Sequence, residues 1–134
     1  WNALRTQQAI QLSSFVKTLQ TTDPDVLVLG DLNSYAREDP ITTLRNNGLV
    51  NLLLFVPPTQ RYTFVFNGES GTLDYALTTP SLTWQTRGVT IWHINADEPG
   101  VIDYNLEFKT DDRYAPTPFR SSDHDPVIVG LELK

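Results

Sequence analysis

Three short acidic segments carry residue types able to do hydrolytic chemistry: Gly30-Asp31-Leu32-Asn33, Leu73-Asp74-Tyr75 and Ser122-Asp123-His124-Asp125-Pro126. Asp31 and Asn33 are two apart, so on an extended backbone they point the same way. An acid beside a carboxamide offers one group to hold a cation or a water and another to donate to an oxyanion. The plainer reading is a turn in which Asp and Asn bond their own backbone. In the third segment a titratable imidazole, His124, stands next to the anion Asp123. That arrangement suits a proton donor or a phosphate-binding cation near neutral pH; a capped loop with a surface His is the alternative. Asp74 lies between apolar neighbours in a strand-like run, and burying it unpaired would cost on the order of 2–7 kcal/mol. It therefore needs a partner unless it sits on an edge strand facing water. His124 is the natural one, since a carboxylate orients an imidazole and raises its basicity.

These side chains must be positioned by secondary structure. Residues 3–20 read as an amphipathic helix, with Leu12, Phe15, Val16 and Leu19 on one face and Gln7, Gln8, Gln11 and Lys17 on the other. Pro24 ends it. The apolar run Asp25 to Gly30 reads as a strand buried on both faces that delivers Asp31 at its end. A second helix is expected with Asp39 as N-cap, Pro40 as its first residue and Gly48 as a left-handed stop. The runs 62–66 and 72–77 flank a Gly-containing loop, 67–71, and read as a hairpin. A further strand is expected at 89–94, a long irregular loop at 95–120 and a closing strand at 127–133. All three acidic segments thus fall at strand ends, where α/β proteins place their sites. The whole of residues 1–134 reads as one α+β unit.

Composition narrows the chemistry. The 134 residues contain no Cys and only two His, which excludes disulfide scaffolds, thiolate zinc sites and multi-histidine metal centres. A net charge of −6 argues against a broad basic footprint for nucleic acid. It does not argue against a nuclease, because a divalent cation on acidic ligands can handle the phosphate. No apolar run approaches the roughly 18 residues of a membrane span. The opening Trp1-Asn2-Ala3, without Met, reads as the start of a piece of a longer protein.

Together, Gly-Asp-Leu-Asn after an apolar strand, Leu-Asp-Tyr in mid-chain and Ser-Asp-His before the last strand resemble the endonuclease/exonuclease/phosphatase superfamily, over essentially the whole chain. Trp92 to Pro99, Tyr62 to Gly68 and Arg120 to Val127 look like its secreted bacterial nuclease branch. The resemblance implies the C-terminal half of a four-layer α/β/β/α sandwich with mixed sheets, and an extracellular location. It implies hydrolysis of DNA, or in some members RNA, with Mg2+ or with Mn2+ or Ca2+. Position by position, it makes Asp31, Asn33, Asp74, Asp123 and His124 the catalytic set and Asp31 and Asp123 the metal ligands. Asp31 would activate or orient water, and Asn33 would hold that water or the phosphate. His124 would bind the phosphate with its ring fixed by Asp74. For His93, Asp97 and Glu98 the resemblance alone speaks, against a structural loop held by local hydrogen bonds. The superfamily also draws an Asn, a metal-binding Glu and a His or Tyr from an N-terminal half that precedes the first helix. The isolated chain is therefore expected to show little or no activity. It is also expected to need a complementing chain or to self-associate through Leu27, Leu29, Val127 and Val129. A phosphatase or sphingomyelinase of the same superfamily, or a non-catalytic binding module, are the competing readings.

Overall fold

The computed structural model describes residues 1–99, 107 and 117–133. In chain order the elements are α1 (Asn2–Leu19), β1 (Leu27–Asp31), α2 (Asp39–Asn46) and β2 (Val50–Asn51). Two 3-10 turns follow, Leu52–Phe55 and Pro58–Gln60. Then come β3 (Phe64–Phe66), β4 (Glu69–Gly71), β5 (Asp74–Thr78), α3 (Pro80–Thr83), β6 (Thr86–Ile91) and β7 (Val127–Leu131).

The first helix has no side-chain cap and no acid in its first turn, so packing rather than capping must hold it. It lies against α2, burying Ala9, Ser13 and Val16 at positions i, i+4 and i+7. Small residues there let the two helices approach closely, and the Ser13 hydroxyl is satisfied by the Ala9 carbonyl at 2.8 Å. Asn2 donates to Asp39 at 2.8 Å and Lys17 to Asn47 at 3.0 Å, pinning both ends of α1 to α2. The expected apolar face is therefore rotated: Phe15 is 58% exposed and Leu19 is also exposed. In α2 the N-cap is Glu38, one residue earlier than expected, with Asp39 and Pro40 in the first turn. Gly48 takes the left-handed stop at φ +99°.

Strand β5 is the centre of a three-stranded sheet, flanked antiparallel by β1 and β2. It is β5, not β1, that is buried on both faces: Tyr75, Ala76, Leu77 and Thr78 are all closed to solvent. Among the described residues β1 pairs with β5 alone, so Leu29 is left 55% exposed. The core gathers Ile41, Leu44, Leu49, Leu53, Tyr75 and Leu77 between this sheet and the helices.

The hairpin differs from expectation. Phe64–Phe66 pairs with Glu69–Gly71 across the two-residue turn Asn67-Gly68, and the run from Asp74 leaves for the other sheet. Both turn residues have positive φ, +51° and +81°, the geometry that Asn-Gly supplies and that matches strand twist. The third ladder joins β6 and β7 antiparallel. Every ladder among the described residues is antiparallel, so the α+β class holds while mixed sheets are not found there. Strand β6 begins and ends earlier than the 89–94 expected. Most of the expected loop at 95–120 (residues 100–106 and 108–116) lies outside the described residues. No described helix is long and apolar enough to cross a membrane.

Candidate active site

In the antiparallel register Asp31 and Asp74 are direct cross-strand partners. Opposed residues put their side chains on one face about 5 Å apart, and like charges there destabilise a sheet. Each acid is therefore supplied with donors. Asp31 accepts from the Asn33 backbone N–H at 2.7 Å and from the Asn33 amide at 2.9 Å. That holds Asn33 in a left-handed conformation, φ +48°, which Asn tolerates through such local bonds. Asp74 accepts from Nδ1 of His124 at 2.6 Å. With Nδ1 donating to a carboxylate, Nε2 is the atom left to act on a ligand. The Phe64 ring leans on the imidazole, with centroids 4.7 Å apart and planes at 32°, so two groups fix its orientation.

Asp31, Asp74 and His124 each place one donor atom within 4.8 Å of the others. Two hard carboxylate oxygens and one imidazole nitrogen are a donor set that fits a divalent cation. The cation would also answer the repulsion between the opposed acids. Of the residues singled out from sequence, the fold brings together Asp31, Asn33, Asp74 and His124. Asp123 is exposed and lies outside that donor group. It lines a neighbouring cleft of about 630 Å3 with Phe64, Phe66, Asn67 and Arg120. A second cavity of about 430 Å3 adjoins Asp31 and Asn33 and is lined by Arg5, Gln8 and Leu12. The Arg5 Nε is shut from solvent with no hydrogen-bond partner among the described residues.

Residues not picked out from sequence hold this arrangement up. Thr63 is fully buried, and its hydroxyl oxygen accepts the backbone N–H groups of Leu73 at 3.0 Å and Asp74 at 3.1 Å. Its carbonyl accepts the Asp125 N–H at 2.8 Å, so one threonine ties the Asp74 strand to the His124 segment. The Tyr75 hydroxyl sits between the carbonyls of Ser34, at 2.8 Å, and Thr72, at 3.0 Å, fastening the Asp31 loop to β5. Burial first, then the charges of Glu38 and Asp74, push that phenol well above its ordinary range. Asp125 is 2% exposed and fully hydrogen-bonded, and in sequence it looked like one more acid in a polar string. Its one signal was position, directly before Pro126 and the closing strand.

Opposed acids on a sheet rung, one of them orienting an imidazole, form a group whose chemistry suits a cation-dependent hydrolase. A model of the Endonuclease/Exonuclease/phosphatase family matches residues 1–124, and the chain belongs to that family. Its members are metal-dependent hydrolases of phosphate esters and diesters. Among curated proteins, none matches the chain.

Proposed function

We propose that this chain contributes to metal-dependent hydrolysis of phosphodiesters in nucleic acid, as part of a secreted bacterial nuclease acting on DNA and, in some settings, RNA. The observation that carries the reading is the Asp31–Asp74 rung with His124 drawn onto it, all within 4.8 Å. A sheet gains nothing from facing two carboxylates, so the pair makes sense as a cation seat. Asp31 and Asp74 would hold magnesium, manganese or calcium between their carboxylates, beside the His124 ring. The bound cation would supply charge stabilisation to the phosphate oxygens. The chain's own residues do the rest. Asp31 orients the attacking water, and Asn33 keeps Asp31 aimed while its remaining amide groups face water or phosphate. His124 presents Nε2 to a phosphate oxygen with Asp74 fixing the ring. The cationic Arg5 side chain lines the cavity beside Asp31 and Asn33, and a positive charge there supports a phosphate-bearing substrate.

The four-layer sandwich belongs to this proposal, with residues 1–134 as its C-terminal portion. The exposed Leu29 on β1 and, on a separate ladder, the exposed Ile128 on β7 support a preceding segment, a second chain or a second copy covering them. The test is a side-by-side assay of the parent protein on plasmid DNA, RNA and sphingomyelin with magnesium. The reading expects nucleic acid to be cut, and Asp31→Ala and His124→Ala to lower turnover about 100-fold or more. Cleavage of sphingomyelin alone would move the chain to the lipid-acting readings, and no turnover of any ester would leave a binding module. In the isolated chain, Mn2+ should broaden the His124 ring signals in NMR, and Asp31→Ala should abolish that broadening.

A further inference from the structure

The geometry points to a second carboxylate–imidazole pair, Asp125 with His93, as a positioning device that sets the aim of His124. Asp125 has a side chain fully closed to solvent, a costly place for a carboxylate. Four donors compensate it. Its Oδ1 accepts the backbone N–H groups of Ile94 at 3.0 Å, Asn95 at 2.9 Å and Ala96 at 3.0 Å. Its Oδ2 lies 2.8 Å from Nδ1 of His93. Three successive amides converging on one carboxylate form a backbone nest, which fixes the 93–96 turn onto residue 125.

His93 is engaged on both sides. Its Nε2 lies 3.2 Å from the Gln60 carbonyl, and its ring stacks on Tyr62 with centroids 4.2 Å apart and planes at 17°. Tyr62 in turn donates to Asp97 at 2.7 Å. With both nitrogens partnered, His93 is not available as a general base or a phosphate ligand. It closes a ring of contacts joining segment 60–63, turn 93–97 and residues 124–125.

Both halves of the Asp74–His124 pair hang from that ring. The Asn95 amide donates to the His124 carbonyl at 2.9 Å, and its oxygen accepts the Arg120 N–H at 2.7 Å, clamping the loop that carries His124. On the other side Asp125 donates its N–H to Thr63, whose hydroxyl holds the backbone of Asp74. A slack turn at 93–96 would release the main chain of His124, while β5 would still hold Asp74. The 2.6 Å contact between them would loosen without the fold being lost.

With only two histidines in the chain, each imidazole can be followed by NMR and assigned by single substitution. The variants are His93→Ala and His93→Gln, the latter keeping a donor toward Asp125. Asp125→Asn is added because Asp125→Ala would strand three backbone donors. The readout is exchange of the His124 Nδ1 proton, with the Leu77 amide in β5 as the global control. His93→Ala and Asp125→Asn are expected to speed His124 exchange at least 10-fold with Leu77 unchanged, and His93→Gln to restore most of the protection. Removing such supporting partners typically costs about 10–100-fold in function, so kcat in the parent protein should fall by that factor at unchanged KM. Equal acceleration at His124 and Leu77 would show a merely structural role and overturn the inference, as would unchanged His124 exchange in all three variants. The inference rests on His124 acting at the phosphate for its kinetic arm only. A wild type without phosphodiesterase activity sinks the proposed function, and the exchange measurement still decides this one.

Discussion

Thr63 shows how much of the centre depends on a neutral residue. Replacing it with the near-isosteric Val leaves the buried N–H groups of Leu73 and Asp74 without an acceptor. Stranded donors of this kind cost roughly 1–3 kcal/mol, so Thr63→Val should lower the urea midpoint by a corresponding amount at unchanged m-value. Tyr62 makes a separate prediction in alkali. Its hydrogen bond to the Asp97 carboxylate, then burial, then the charges of Asp97 and Asp125, push its phenol from 10.0 up to about 12. The folded chain thus holds this proton more tightly than the unfolded chain. The stabilisation is complete below pH 10 and is lost as the pH climbs toward 12. Tyr62→Phe should therefore lose less stability over that interval than wild type, measured by denaturation at stepped pH. Some slope should survive, because the Tyr75 phenol is raised too. At this scale the side chains that cluster, Asp31, Asn33, Asp74 and His124, were legible in sequence because their types and spacing are chemically unusual. Asp125 and Thr63 were not, because burial and backbone partners leave no mark on residue identity.

Elements were legible where a local signal decided them. The Pro40 and Gly48 punctuation placed α2 to within a residue, and the apolar runs placed β1 and β7. The hairpin was misplaced although its signal was present. Asn67-Gly68 is a two-residue turn in its own right, and the strand after it ends at Gly71 rather than continuing from Thr72. The face of α1 was misjudged because large apolar residues were weighted over the small Ala9 and Ser13, which close packing on α2 selects. The turn yields a test. A non-glycine residue at the left-handed position of Gly68 costs about 1–2 kcal/mol, so Gly68→Ala should destabilise the chain by up to that amount. Because Phe64 on the same hairpin rests against the His124 ring, the substitution should also shift the His124 ring resonances. Unmoved resonances would mean the hairpin does not brace the imidazole.

For the molecule as a whole, what sequence could not reveal is which faces stay bare. The run from Asp25 to Gly30 looked like an interior strand, yet β1 has one ladder partner among the described residues and Leu29 stands exposed. Val127, by contrast, packs against the core. Unpaired strand edges beside apolar side chains invite another strand. If this side takes a second polypeptide, the isolated chain should self-associate in light scattering, and Leu29→Lys should shift it toward monomer. A monodisperse wild-type monomer would remove that reading.

The rung formed by Asp31 and Asp74 has an implication for directed evolution. A library of this protein selected purely for heat resistance has no reason to keep two anions abreast. The carboxylate at position 31, which lacks the imidazole that rewards its neighbour, should be among the first side chains such a selection discards. On the proposed function, variants recovered that way would outlast their ancestor at high temperature and lose phosphodiester turnover.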